Sequence, residues 1–294
     1  AAGVDVTVYE ASDGVGGRVR SDIVDGFTLD RGFQVALTAY PEMHRQLDME
    51  ALDLRAFDPG ALVWRNAKGS VVADPFRMPR ATFATATAPI GSLFDKARIA
   101  QLRHSVRSVH PSKLLHNDDI TTHDALSKFG FSDRIIERFF TPLVGGIQLD
   151  PDLGDSRRMF DIIFRMLADG DSVVPAAGMQ AISDQLATRL PAGTIRLETP
   201  VVSATANSLT IDGGERIEHD AVVVATEGPA ASALLGLPKV ASKAVGCVYF
   251  AANAAPTKTK LVILDGTGNG PVLNVAVMSN IAPSYAPKGR HLIA

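Results

Sequence analysis

Glu10 closes an alternating, β-branched run, Val4-Asp5-Val6-Thr7-Val8-Tyr9, and Gly16, Gly17 and Arg18 stand in a row shortly after it. An acidic side chain at a strand end accepts hydrogen bonds from the hydroxyls of a nucleotide ribose. Paired glycines let a backbone approach a diphosphate with no Cβ in the way. Their amides can donate to its oxygens, and a neighbouring guanidinium adds charge and a fork of donors. Taken singly, Glu10 reads as a solvated carboxylate and Gly-Gly-Arg as a turn with a surface cation. In this order behind a strand, they read as a ribose- and diphosphate-binding turn. A second segment, Asp30-Arg31-Gly32, follows the short strand-like run 27–30.

Other reactive side chains point to less. None of the seven histidines has metal-ligand spacing with a second His or a Cys, so no metal is expected. The single cysteine, Cys247, excludes an internal disulfide framework, and its apolar surroundings predict a buried, inert thiol. Asp118-Asp119 and the pair Asp169 and Asp171 read as solvated faces or helix caps. Arg103 to Arg107 and Arg157-Arg158 are basic, but the lone Trp64 is distant in sequence and no stacking platform for nucleic acid is visible. A net charge of −3 argues neither for nucleic acid nor for an anionic membrane surface. With 46% hydrophobic and 21% charged residues the chain can bury a sizeable core. The uncharged stretch 266–287 is too rich in Gly, Asn and Pro for a membrane helix and reads as a loop followed by a buried strand. No secretory signal is visible, and a cytoplasmic location is the expectation.

The elements that must position these residues follow from periodicity. Residues 4–9, 19–24 and 27–30 read as strands, 41–47 as a short helix, and 62–73 as a hairpin with its turn at 66–70. Helical patterns dominate 92–190. Ser92 caps a helix to about Val106, helices follow at 122–129 and 132–140, and Pro142 to Gly146 breaks the last. In 155–167 the stripe Met159, Ile162, Ile163, Met166 and Leu167 marks a buried face, as do Met179, Ile182, Leu186 and Leu190 in the next helix. Strands return at 194–197, 201–204 and 209–211. The continuous apolar run 221–225 predicts a strand buried on both faces. Further strands are expected at 244–251, 260–264, 272–278 and 291–294.

The run Val8-Tyr9-Glu10-Ala11-Ser12-Asp13-Gly14-Val15-Gly16-Gly17-Arg18-Val19 resembles the second-strand motif of the flavin amine oxidase superfamily, which includes phytoene desaturases and protoporphyrinogen oxidases. That motif is a glutamate, five residues, two glycines and an arginine. Asp30-Arg31-Gly32 resembles the family's Asp-x-Gly near the flavin ring. Residues 140–150 and 175–190 resemble segments of its desaturase- and protoporphyrinogen-oxidase-like members. Thr199-Pro200-Val201-Val202 resembles the strand whose valine contacts adenine, with Val201 taken for that valine and Val202 as the alternative. Residues 221–226, including Ala225, resemble the Rossmann strand and turn near the dinucleotide.

The resemblance implies an α/β fold: a Rossmann-like FAD-binding domain (1–38 and 178–238) with an inserted α+β substrate domain (39–177 and 239–294). It implies FAD as cofactor, held by Glu10 at ribose, by Gly16, Gly17 and Arg18 at diphosphate, by Asp30, Arg31 and Gly32 towards the ring, and by Val201 and Ala225. The implied reaction removes two electrons, as hydride, from a C–N or C–C bond of a small apolar substrate; no catalytic residue is assigned. The family's first strand with its GxGxxG loop and its C-terminal flavin segment have no counterpart among the 294 residues, so the fold reads as incomplete at both ends and this chain alone is expected to bind FAD weakly or not at all. Gly246 stands where many amine oxidases carry a lysine, with Lys243 three positions away, which favours a desaturase- or porphyrinogen-like relative. The rivals are a flavin-free escort protein of the same fold, an NAD(P)-linked dehydrogenase and a degenerate fragment; Arg18 counts against the first. No transmembrane segment and no nucleic acid partner are expected, while peripheral membrane contact stays open.

Overall fold

The computed structural model describes residues 3–294. On the side carrying Glu10, Val8–Tyr9 pairs in parallel with Ile195–Arg196. The expected strand 4–9 is cut to two residues because this short partner supplies the ladder bonds, from Val8 N–H to the Thr194 carbonyl and from Glu10 N–H to that of Arg196. Ser21–Val24 and Phe27–Asp30 form an antiparallel hairpin. Its turn residues Asp25 and Gly26 have φ of 50° and 78°, the positive values that a tight turn between twisted strands demands. Val201–Ala204, Ser208–Ile211 and Arg216–Glu218 make an antiparallel meander.

Residues 221–225 are not a strand, contrary to their apolar run. No described strand lies beside them, the Val222 amide alone bonds to the Ala206 carbonyl, and Val223 is 87% exposed.

The other side is built on a sheet in the order Asn274–Val275, Val262–Asp265, Gly60–Arg65, Lys68–Ala73. Its centre is parallel, with Ile263 opposite Leu62, and its edges are antiparallel. Helices Leu93–Arg107 and Arg157–Asp169 pack together over it. Leu102, Val106, Leu126, Ile135, Phe140 and Phe160 belong to one buried cluster with Ala61, Val63 and Leu264 of the sheet. Phe140 lies edge-on to Phe131 and Phe160, with ring centroids 4.8 and 6.2 Å apart. A second cluster joins Phe27, Val174, Met179, Ile281, Tyr285 and Leu292. No described helix is long and apolar enough to cross a membrane.

Several elements depart from the periodic reading. The helix expected to stop near Pro142 runs on as a π-helix, Ile136–Gly145, and passes directly into Gly146–Gln148. The wider π turn accommodates a proline that lacks an amide hydrogen and would crowd the carbonyl four residues back. In Arg157–Asp169 the buried positions are Phe160, Asp161, Ile163 and Met166, while Met159 is exposed; the aromatic residue takes the place given to methionine. Leu186 and Leu190 are likewise exposed. Of 244–251 only the end is strand, Phe250–Ala252, paired with His291–Ile293, and Cys247 is half-buried. Within 266–287 the strand is Asn274–Val275, and the chain then turns helical at Met278–Ile281.

Candidate functional site

Glu10 is fixed by its backbone. Its N–H donates to the Arg196 carbonyl and its carbonyl accepts from Thr199 N–H, both at 2.9 Å. Oε1 accepts from the amide and hydroxyl of Ser12, each at 2.8 Å. Oε2 has no partner among the described residues. Thr199 leads into the separate strand Val201–Ala204, so Val201 follows two residues after the one that bonds the Glu10 carbonyl.

The glycine pair is shaped for two purposes. Gly16 and Gly17 have φ of 108° and 53°. A Cβ on Gly16 would stand 2.5 Å from the Val19 carbonyl oxygen and 2.8 Å from Ser183 Oγ, whereas one on Gly17 would meet nothing within 4 Å. Gly16 therefore lets the loop press onto helix Gln180–Ala187, where Gln180 Nε2 also donates to the Val15 carbonyl. Gly17 leaves an open face. The amides of Gly14, Val15, Gly16, Gly17 and Arg18 donate to nothing among the described residues, so five consecutive backbone donors there are without acceptors. The Arg18 side chain is 78% exposed, with Glu227 at 3.9 Å. Glu227 is two residues beyond Ala225, which is exposed in the unpaired segment; Arg18 and that turn are thus brought together.

Asp30 and Arg31 are directed elsewhere. Asp30 is 3% exposed. Its Oδ1 accepts from Ser21 Oγ–H at 2.6 Å and Met179 N–H at 2.9 Å, and its Oδ2 from the Tyr285 hydroxyl at 2.8 Å. Burial pushes its pKa up from the usual carboxylate range, against the pull of these three bonds. The Arg31 guanidinium grips both oxygens of Asp22 at 3.0 Å. The Tyr249 hydroxyl donates to the carbonyls of Asp30 and Gly32 at 2.8 and 3.3 Å. These side chains hold the segment; what it presents is backbone at Gly32, φ 101°. Gln34 Nε2 donates to the Arg18 and Arg31 carbonyls at 2.7 and 3.0 Å and so ties the two candidate segments together. Sequence reasoning missed Ser21, Gln34, Tyr249 and Tyr285, because their roles depend on partners far along the chain and carry no local pattern.

Beyond Gly32 the chain enters the wall of a cavity of about 370 Å³, bordered by Phe33, Phe57, Val72, Phe139, Leu143 and Phe164 among others. Phe139 and Leu143 come from the π-helical stretch. Most of the charges at its border are already matched. Arg103 Nε donates to Asp74 at 2.9 Å, Arg77 pairs with Asp171, and Lys96 Nζ donates to the Ala86 and Ala88 carbonyls at 2.6 Å. Asp58 also borders it and has no side-chain partner among the described residues. Asp169 and Asp171, read as solvated or capping, are ion-pair anchors: Asp169 holds Arg107 and Arg165. Asp119 likewise takes Ser156 Oγ–H and Arg158. Lys243 Nζ pairs with Asp155 at 2.5 Å and Asp150 at 3.4 Å, and a Cβ on Gly246 would meet nothing within 4 Å.

The chain that carries this loop and cavity has counterparts. A sequence model of the flavin containing amine oxidoreductases matches residues 1–294. The chain belongs to that family, and it is a FAD-dependent oxidoreductase by that membership. No curated protein matches it. Among solved structures it is similar to an oxidoreductase from Methanosarcina mazei (TM-score 0.71, 18% identity, covering 99% of this chain and 73% of that one). It is also similar to a putrescine oxidase variant (0.67, 18%, 99% and 69%). A third likeness is to cyclohexylamine oxidase from Brevibacterium oxydans (0.64, 16%, 99% and 69%). At these identities the likeness is one of fold. The residues present fit the cofactor: the amides of 14–18 have no acceptor, Gly17 leaves room for a diphosphate, and Glu10 keeps one oxygen free for a ribose.

Proposed function

We propose that this protein removes two electrons, as hydride, from a C–N or C–C bond of a small apolar substrate held in the 370 Å³ cavity. The observation that carries the reading is continuity: Gly32, the open end of one candidate segment, leads straight into Phe33 and Val35 of the cavity wall. In this reading Glu10 binds ribose. The amides of Gly16 and Gly17, with Arg18, bind diphosphate, and Val201 and the turn after Ala225 lie along the adenosine half. Asp30 and Arg31 act as positioning residues that fix the Gly32 backbone towards the ring. The bound flavin supplies the redox chemistry; the chain supplies orientation and a cavity from which apolar walls exclude water. Residues 1–38 and 178–238 form the cofactor side and the remainder the substrate side.

The test is the visible spectrum of the complete protein. A flavin spectrum is expected from the wild type and its loss from a Glu10→Ala, Arg18→Ala double variant that keeps its circular dichroism. A folded wild type that stays colourless and takes up no added FAD would move the assignment to a flavin-free binding protein of the same fold.

A further inference from the structure

Residues 76–94 carry a concentration of exposed apolar side chains. Phe76, Phe83, Leu93 and Phe94 are 69, 79, 68 and 76% exposed. Single exposed apolar residues are ordinary, whereas a cluster of large ones marks a contact surface. These four are held on one framework. The Arg103 guanidinium lies 4.9 Å over the Phe76 ring, which sets Phe76 against helix Leu93–Arg107. Helix Thr82–Thr87, bearing Phe83, contacts the same helix. Lys96 Nζ closes the junction through the Ala86 and Ala88 carbonyls, next to the turn that bears Leu93 and Phe94.

Of the cations around this patch, Arg77, Arg103 and Arg107 are matched by Asp171, Asp74 and Asp169, and the others have no acidic ion-pair partner among the described residues. Between Asp74 and Asp118 the sequence has seven Lys and Arg residues and one acid, Asp95. Asp95 is buried and accepts from Ser92 and Ser132, so it does not offset the surface. Arg80 is exposed, and Arg80 and Arg98 have no acidic partner among the described residues. Arg138 donates to the Pro89 carbonyl at 2.9 Å, which brings a further cation to the rim. Its pKa is held down first by burial and then by Arg65 and Arg134 nearby, against the opposite pull of Glu137, the acid beside it. The total charge of −3 hides this segregation.

The cavity borders the patch too. Phe76, Thr82 and Ala100 belong to its lining and are exposed, so its mouth lies among these residues. We propose that the face formed by Phe76, Phe83, Leu93 and Phe94, rimmed by Arg80, Arg98 and Arg138, docks on an anionic lipid bilayer and takes apolar substrate from it into the cavity. The aromatic and leucine side chains enter the headgroup–acyl boundary and the arginines meet lipid phosphates. The proposal rests on the apolar-substrate reading above.

The test is flotation of the complete, flavin-loaded protein with vesicles of phosphatidylcholine alone or with roughly a third phosphatidylserine. Binding is expected on the anionic vesicles. It should weaken at high salt and fall about tenfold or more in both Phe83→Ser, Phe94→Ser and Arg80→Glu, Arg98→Glu variants. None of these side chains lines the cavity, so flavin spectrum, melting temperature and turnover of a water-soluble substrate should be unchanged. Absence of wild-type flotation on anionic vesicles, or equal flotation of the variants, overturns the proposal. So does a concentration-dependent dimer in the ultracentrifuge that the Phe83→Ser, Phe94→Ser variant abolishes without any vesicle binding. Turnover in free solution separates the two readings: a protein that oxidises apolar substrate but never floats loses only the docking surface. One that floats yet turns over only polar substrates loses the substrate reading and with it the route from lipid to cavity.

Discussion

Asp95 and Asp30 are both almost fully buried, and the structure treats their charges in opposite ways. Burial pushes Asp95 up, but hydrogen bonds from Ser132 and Ser92 outweigh it and lower the pKa to about 2. In Asp30 burial outweighs the bonds from Ser21, Met179 and Tyr285, and the pKa rises. Between about pH 2 and the unfolded carboxylate value near 4, the unfolded chain binds a proton that folded Asp95 refuses, so Asp95 adds stability as pH rises, roughly 2 kcal/mol when complete. From the unfolded value up to its raised folded value, Asp30 keeps a proton that the unfolded chain has lost, so its contribution falls as pH rises. Urea unfolding should show the stability gap between wild type and Asp95→Asn widening from pH 2 to 4 and then holding flat. The gap between wild type and Asp30→Asn should narrow as pH climbs above 4; parallel curves for the two variants would contradict this account. Tyr285→Phe removes a hydrogen-bond partner from the buried Asp30 side chain and should cost roughly 1–3 kcal/mol.

The glycine loop separates stability from binding at the level of an element. Gly16→Ala places a Cβ against the Val19 carbonyl and Ser183 at φ 108°, so it should cost roughly 1–3 kcal/mol in unfolding and release flavin. Gly17→Ala meets no atom within 4 Å and sits at φ 53°, so it should cost only about 1 kcal/mol. Its Cβ nevertheless intrudes where the diphosphate would lie. Melting curves and flavin retention measured together should show Gly17→Ala nearly as stable as wild type yet weaker in flavin. Equal retention in Gly17→Ala and wild type would remove the loop from the cofactor site. Such local geometry was legible in sequence. The turn between strands 19–24 and 27–30 and the Ser92 cap follow from neighbours a few residues apart, whereas the reciprocal bond from Asp95 and the bond of the Thr121 cap come only with the structure. What was not legible depends on distant partners. Residues 221–225 have strand composition but no strand beside them, and the helix through Pro142 survives by widening in a packed aromatic cluster. The Asp30 carboxylate is claimed by Tyr285, 255 residues away.

Across the whole molecule, the matched and unmatched charges define what the cavity can accept. Arg77, Arg103 and Lys96 at its border are satisfied by Asp171, Asp74 and backbone carbonyls. Asp58 is the border carboxylate without a side-chain partner among the described residues, and it is half-buried. The cavity therefore has apolar walls and one negative charge available to a ligand. A substrate oxidised at a C–N bond enters as an ammonium ion and would gain a charge-assisted bond to that carboxylate, worth roughly 1.5–3 kcal/mol. A substrate oxidised at a C–C bond has nothing to offer it and bears the desolvation of an unpaired charge. Asp58→Asn distinguishes these two classes of substrate. For an amine, KM should rise about ten- to a hundredfold, since the lost contact is the one the ammonium makes on binding, before it releases to solvent the proton it must lose for hydride to leave the neighbouring carbon. For a neutral hydrocarbon, KM should stay level or fall. The chemistry at the flavin would be the same in both, so the direction of the KM change decides which bond this protein oxidises.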